Sequence, residues 1–374
     1  RSRTEYNDQL PNKIRRRVLL KGLGVAAGAA LFPSGCHQAT SRRGCPQVAG
    51  RQLRWLVPFT AGGGYDIYSR LIQPFYAEKL GANIVVENMP GAGGTMCANT
   101  LSQSKPDGLT LGFFNAPGLL AAAMAEGSAV PNPATEMTVL GRVARSRMVW
   151  IASESSRLRT IEDTLLESQK RRIVFAISEV GSTNFICVVV GTSLLEMKME
   201  FVSGYAGSRE TMLGLLRGEA DLMSATFESV VNQIESGDVR PILQIDSERI
   251  AAHPSLEGVP FLCGDSGLAA GRASALGRAR EQITADAGLL ADFLGTGLVV
   301  VAPPRLEKDL FECLEERLHE ALTDSGFRAA AAEARRSLDV ARAAETQREI
   351  ATAATEVQRF IPAMQESINK LRRR

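Results

Sequence analysis

From Leu53 onward, short apolar runs alternate with longer amphipathic ones. "LRWLVPF" (53–59) reads as a strand with Leu53, Trp55 and Val57 on one face. The helix predicted next places Ile67, Leu71 and Phe75 on one stripe, with Pro74 inside it as a kinking or shortening residue. "ANIVVENMP" and "LTLGFFNAP" supply the second and third strands. "MVWIAS", "RIVFAIS", "ADLMSAT" and "VRPILQID" follow between helical stretches, and "GLVVVAPP" is a late buried strand. From Leu306 to the end, Ala/Glu/Arg-rich helices dominate. This alternation predicts an α/β fold with parallel sheets and right-handed crossovers. The number of units predicts two α/β domains. Residues 264–290, rich in Gly and Ala and poor in large apolar groups, read as a surface insertion.

The first fifty residues break the pattern. Arg16 and Arg17 precede a mildly apolar run from Gly22 to Phe32, the order of a twin-arginine export signal over residues 1–36. The run is shorter than the roughly 20 residues a membrane span needs. Cys36 ends it and is a candidate for lipidation; ordinary cleavage slightly further on is the alternative. Residues 37–50 are polar and breaker-rich and read as a linker.

Composition narrows the function. A formal net charge of +2 over 374 residues, with no basic face, argues against nucleic acid as a partner. The six cysteines show no metal-ligand spacing, so neither a metal site nor a specific disulfide is predicted. The histidines His37, His253 and His319 lie in the linker, a turn and a solvated helix, with no nucleophile–base context. No cofactor motif is complete: Gly62 and Gly64 start G-x-G, but the third position holds Ile67.

Four loops share one form, in which a strand end meets small residues and then a helix start: "TAGGGYD" (60–66), "PGAGGT" (90–95), "EVGSTN" (179–184) and "YAGSRE" (205–210). The first N–H groups of a helix lack intrahelical partners and carry about half a positive charge. Glycine lets an anion approach them. Asp66 either complements its own helix start or reaches a polar ligand. Ser182, Thr183 and Ser208 read as caps whose hydroxyls double as ligand donors, and Tyr205 either packs or covers the pocket.

At these residues the chain resembles the extracytoplasmic solute receptors of tripartite tricarboxylate transporters, the Bug or TctC family. The resemblance rests on "VPFTAGGGYDIYSRL", "LGANIVVENMPGAGGT", "SKPDGLTLGFFN", "GSTNF", "GYAGSRETMLGLLRGEADLM" and "SERIAAHPSLEGVPF", in that order from 53 to 262, and "GLVVVAPP" resumes it. The chain departs from the family at Cys97, where glycine is usual, and at "ATFES" after the "ADLM" strand. The resemblance implies a two-lobed type II periplasmic-binding-protein-like fold with a ligand cleft between lobes. Residues 51–150 and 296–374 would form the first lobe, and 151–295 the second. It implies a non-enzymatic, monomeric receptor outside the cytoplasm that binds a small organic carboxylate and hands it to the transporter's membrane subunits. A ligand-binding sensor signalling to a membrane partner is the alternative, and an enzyme acting on an anionic substrate a third. By position, the first lobe would contribute Thr60, Ala61, Gly62, Gly63, Asp66 and Asn115. The second would contribute Ser178, Gly181, Ser182, Thr183, Tyr205, Gly207, Ser208 and Thr226.

Overall fold

The computed structural model describes residues 44–126, 129–178, 182–205, 207–246 and 253–372. Residues 1–36, read from the sequence as an export signal ending at Cys36, lie outside the described residues, as do residues 37–43 and Gly181. The chain first builds β1 (Gln52–Val57), α1 (Gly64–Leu80), β2 (Asn83–Asn88), α2 (Thr95–Ser102), β3 (Thr110–Asn115), α3 (Ala116–Glu126) and β4 (Thr138–Ala144). It crosses to β5 (Met148–Ser153), α4 (Ile161–Lys170), β6 (Ile173–Ala176), α5 (Thr183–Leu194), β7 (Met199–Val202), α6 (Ser208–Leu216), β8 (Leu222–Thr226), α7 (Phe227–Glu235), β9 (Val239–Ile245), α8 (Leu268–Arg272) and α9 (Arg280–Gly295). It returns as β10 (Leu298–Ala302), followed by α10 (Lys308–Thr323), α11 (Ser325–Glu333), β11 (Ala341–Arg342), α12 (Ala343–Glu356) and α13 (Ile361–Arg372).

Two sheets result, one per lobe. The first has strand order β11-β4-β10-β3-β1-β2 and the second β7-β6-β8-β5-β9. Neither is purely parallel, as the strand–helix alternation had suggested. β10 runs antiparallel between β3 and β4, and β5 runs antiparallel between β8 and β9. The reason is topological: the strand entering each sheet from the other lobe arrives from the opposite end.

The predicted strands form where the apolar runs placed them. Leu53, Trp55 and Val57 are fully buried. The buried stripe of α1, however, is Tyr68, Ile72, Tyr76 and Leu80, one position round from the expected Ile67, Leu71 and Phe75. Two of these tyrosines find polar partners: the Tyr76 hydroxyl donates to the Leu314 carbonyl at 3.0 Å, and the Tyr68 hydroxyl to the Ser337 carbonyl at 2.7 Å. An aromatic ring with a satisfied tip buries more apolar area than the residues expected there. Pro74 does not end α1, which continues to Leu80.

Three segments differ from expectation. Residues 264–290, expected at the surface, contain α8 and part of α9. Ile283, Ala287 and Leu290 recur at helical spacing and are buried with Leu262 and Cys263. Small residues there allow close packing instead of marking an exposed loop. Residues 44–50, expected within a linker, are docked on the first lobe: Val48 is buried and Cys45 N–H donates to the Leu80 carbonyl at 3.0 Å. Cys45 is disulfide-bonded to Cys313 of α10, a pairing that spacing could not reveal, while Cys97, Cys187 and Cys263 are free and buried.

Between the sheets, one continuous apolar cluster runs from Leu56 and Phe114 in the first sheet to Trp150 and Phe175 in the second. α3, α5, α9, α12 and α13 fill it through residues such as Leu120, Val188, Leu290, Ile350 and Ile368. α12 and α13, expected in the first lobe, therefore rest also on α9 and α5 of the second. The two crossovers touch each other. Gly297 has φ 65°, and a Cβ there would stand 2.1 Å from the Ala144 carbonyl oxygen.

The disulfide ties the docked N-terminal turn to α10 across a sequence separation of 268. Replacing Cys45 and Cys313 by alanine is expected to lower stability by about 2–5 kcal/mol. Urea unfolding midpoints of the variant and the oxidised protein, compared at one temperature, check it.

Candidate ligand-binding site

Five helices begin at one cleft between the lobes. α1 and α3 start there from the first sheet, and α5, α6 and α7 from the second. Each follows a strand whose carboxyl end faces the cleft, the ordinary place for a ligand in an open α/β sheet. The helix starts differ in capping. Ser182 Oγ accepts from the Phe185 N–H of α5, and Asn115 Oδ1 accepts from the Gly118 N–H of α3. α1, α6 and α7 begin at Gly63, Gly207 and Thr226 without a side-chain cap hydrogen bond. The Phe227 N–H of α7 donates to the Arg147 carbonyl at 2.8 Å, and the starts of α1 and α6 are left without a side-chain cap.

The described lining mixes hydroxyl and amide side chains with apolar Phe59, Met148 and Ala225. It includes Thr60, Gly63, Asn115, Ser178, Ser182, Thr183, Gly207, Ser208 and Thr226, all expected from the sequence. Among the described residues that line it, none is a lysine, arginine, histidine, aspartate or glutamate. The Thr183 and Ser224 hydroxyls are buried and make no hydrogen bond of ordinary geometry within the protein. Such orphaned groups are costly unless a ligand or water satisfies them. The lobes meet at the cleft: a Cβ on Gly207 would lie 3.3 Å from Thr60 Oγ1.

Several expected residues are placed elsewhere. Ala61 and Gly62 are exposed beside the cleft and do not line it. Asp66 is buried but turned away: its carboxylate accepts from the Gly62 N–H at 2.8 Å and pairs with Arg70 at 2.9 Å. It shapes the glycine loop instead of meeting a ligand. Burial would push this carboxyl up, but Arg70, the Gly62 N–H and Asn88 outweigh burial and hold it below its ordinary value. Tyr205 packs over Gly214 and donates to Glu219 at 2.6 Å; burial and that glutamate push its hydroxyl up to about 12.

The sequence reading missed Tyr65, Asn184, Ser224 and Ser229, which also line the cleft. Burial raises the Tyr65 hydroxyl above its usual range, and the nearby Thr183 and Asn115 side chains offset part of that. Its hydroxyl therefore stays a neutral donor. Asn184 Oδ1 accepts from Ser182 Oγ and, at 3.4 Å, from Ser178 Oγ, binding the loop after β6 to the start of α5. Position alone could have flagged Tyr65, because it follows the uncapped glycines directly. Ser224 had no such signal, since it sits in the middle of an apolar strand.

Residues 68–270, more than half of the chain, match the profile of the tripartite tricarboxylate transporter family receptor, TctC. A UPF0065 protein from the tcbD-tcbE intergenic region of a Pseudomonas species is 24% identical over 261 residues, covering 69% of this chain and 74% of that protein. BugT of Bordetella pertussis is 24% identical over 212 residues, covering 55% of this chain and 64% of BugT. Among solved structures, the periplasmic binding protein BugD aligns with TM-score 0.66 and 22% identity, covering 83% of this chain and 97% of BugD. MatC from Rhodopseudomonas palustris, with bound malate, aligns with TM-score 0.63 and 23% identity, covering 85% and 99%. An R. palustris protein with adipate aligns with TM-score 0.66 and 20% identity, covering 84% and 97%. At these identities the structures show the fold, a two-lobed periplasmic-binding-protein architecture.

Asp66→Asn is expected to cost about 1–3 kcal/mol at neutral pH by weakening the buried loop anchor. Asp66 is held below its ordinary value in the folded chain. Its contribution is therefore complete above the unfolded-state value and is lost as pH falls through the folded one. Urea unfolding of both proteins from pH 7 downward should show their stabilities converging in acid.

Proposed function

We propose, from the premise that the chain belongs to the TctC receptor family, that the protein captures one small organic carboxylate outside the cytoplasm. It delivers that ligand to the membrane subunits of a tripartite tricarboxylate-type transporter. The observation that carries the reading is the convergence of five helix starts on a cleft whose described lining carries hydroxyls and no charged side chain. Helix N-termini supply N–H donors and a positive potential without a basic side chain, so a carboxylate can be held and later released. Malate in MatC and adipate in the R. palustris neighbour support this ligand class.

α1 and α3 belong to one lobe and α5, α6 and α7 to the other, so a single ligand touches both. Such a ligand binds the closed arrangement better than the open one and shifts the balance towards closure. Among the described lining residues there are hydroxyls but no base to activate one, which supports carriage over turnover. The paired arginines of the export segment, with Cys36 as a tether candidate, support an extracytoplasmic location. The Cys45–Cys313 disulfide fits the oxidising compartment this requires. Among the described residues, no helix is long and apolar enough to cross a membrane. The receptor acts as a monomer in this reading.

A thermal-shift screen with malate, adipate and other di- and tricarboxylates tests the proposal. One of them is expected to raise Tm in a concentration-dependent way, corresponding to about 2.7 kcal/mol at one hundred times Kd. Thr183→Trp should abolish the shift without lowering the ligand-free Tm. A shift that survives this substitution would move the site elsewhere, and turnover of the bound compound would replace the receptor with an enzyme.

A further inference from the structure

A second contact joins the lobes away from the cleft. α11 of the first lobe ends in a turn in which the Arg335 N–H donates to the Ala332 carbonyl at 3.0 Å and the Arg336 N–H to the Ala331 carbonyl at 2.8 Å. In this helix-ending turn the left-handed position usually holds glycine. Here it holds Arg335, with φ 54°. The side chain turned outward by this strained backbone reaches α7 of the second lobe. Arg335 Nη1 donates to Asn232 Oδ1 at 3.1 Å and pairs with Glu235. The next two residues grip the same helix. Arg336 Nη1 donates to the Glu228 carbonyl at 2.6 Å, and Ser337 Oγ donates to the Glu228 carboxylate.

The turn is fixed to its own lobe at the other end. The Tyr68 hydroxyl of α1 donates to the Ser337 carbonyl at 2.7 Å, and the Arg336 guanidinium lies 5.9 Å from the centre of the Tyr68 ring. Beside these bonds is a cavity of about 380 Å³, lined also by Arg147 and His253. The turn is thus held to α7 mainly by polar bonds, with little apolar packing to lose on separation. α7 begins at Thr226, which lines the ligand cleft, whereas none of residues 335–337 does.

We propose that Arg335, Arg336 and Ser337 form an affinity-setting clasp that holds α7 to the first lobe when the lobes are together. It sets the open–closed balance without touching the ligand. The inference rests on the reading above that the protein works by lobe closure. Each bond joins the two lobes as they stand here, so removing it is expected to lower the population with the lobes together and the apparent affinity with it.

The test uses the full mature chain, Arg336→Ala/Ser337→Ala, and Arg335→Gly as a second variant that relaxes the left-handed position. Small-angle X-ray scattering without added carboxylate should show a larger radius of gyration for both variants. Any of malate, adipate or citrate that binds the wild type should dissociate about tenfold faster from the double variant, with association unchanged. Arg335→Gly separates the clasp from a merely local turn: relief of strain alone would raise Tm and leave the scattering profile unchanged. Identical scattering from wild type and Arg335→Gly would overturn the clasp even if the double variant failed to fold. Failure of all three carboxylates to bind would count against the receptor reading, and the scattering would still decide the clasp.

Discussion

Where the chain returns to its first lobe it passes within touching distance of where it left. A Cβ on Gly297 would stand 2.1 Å from the Ala144 carbonyl and 2.9 Å from Arg145 Cα. The Gly297 carbonyl in turn accepts from the Ala116 N–H at 2.9 Å, at the start of α3. This close approach fixes where the two sheets are joined and therefore which strand ends face each other. The arrangement of helix starts around the cleft depends on it. Any side chain at Gly297 would have to push the crossovers apart.

A charge network around one buried arginine reinforces the junction. Arg142, the β4 residue facing it, is 2% exposed and pairs with Asp339 and Glu349; Arg145 on the crossover pairs with the same two acids. Burial lowers Arg142 from its ordinary value, yet the acids around it keep the cation matched. Breaking one partner of such a pair costs far more than the pair contributes net. The network thus holds the crossover, β11 and α12 in one geometry. The apolar cluster shared by α5, α9, α12 and α13 limits relative movement on the same side.

The cleft solves an electrostatic problem economically. An arginine at the centre would bind an anion tightly, but it would also favour any anion and slow release. In the proposed receptor, backbone N–H groups and hydroxyls would distribute the attraction over both lobes, so that it reaches full strength only when the lobes meet. Asp66 illustrates the division of labour. It is the acidic residue of the glycine loop, and it spends its charge on Gly62 and Arg70, shaping the donor surface without entering it.

Local patterns in the chain carried much of this. Apolar runs such as "LRWLVPF" and "GLVVVAPP" announced strands because burial on both faces demands them, and small residues before helices announced helix starts. Thr60, Ser182, Thr183 and Gly207 lie in loops of that form, since capping and backbone approach are local requirements, whereas Asn115 followed only from the family resemblance. What the chain could not reveal depends on partners distant in sequence. The antiparallel placement of β10 follows from the direction in which it re-enters the sheet. The Cys45–Cys313 bond needs two segments brought together across most of the chain. Ser224 faces the cleft only because β8 pairs with β5 and β6, and residues 335–337 meet α7 only when the lobes adjoin. Periodicity and capping act within a few residues, so a sequence displays them; pairing, register and lobe contact exist only once the chain has closed on itself.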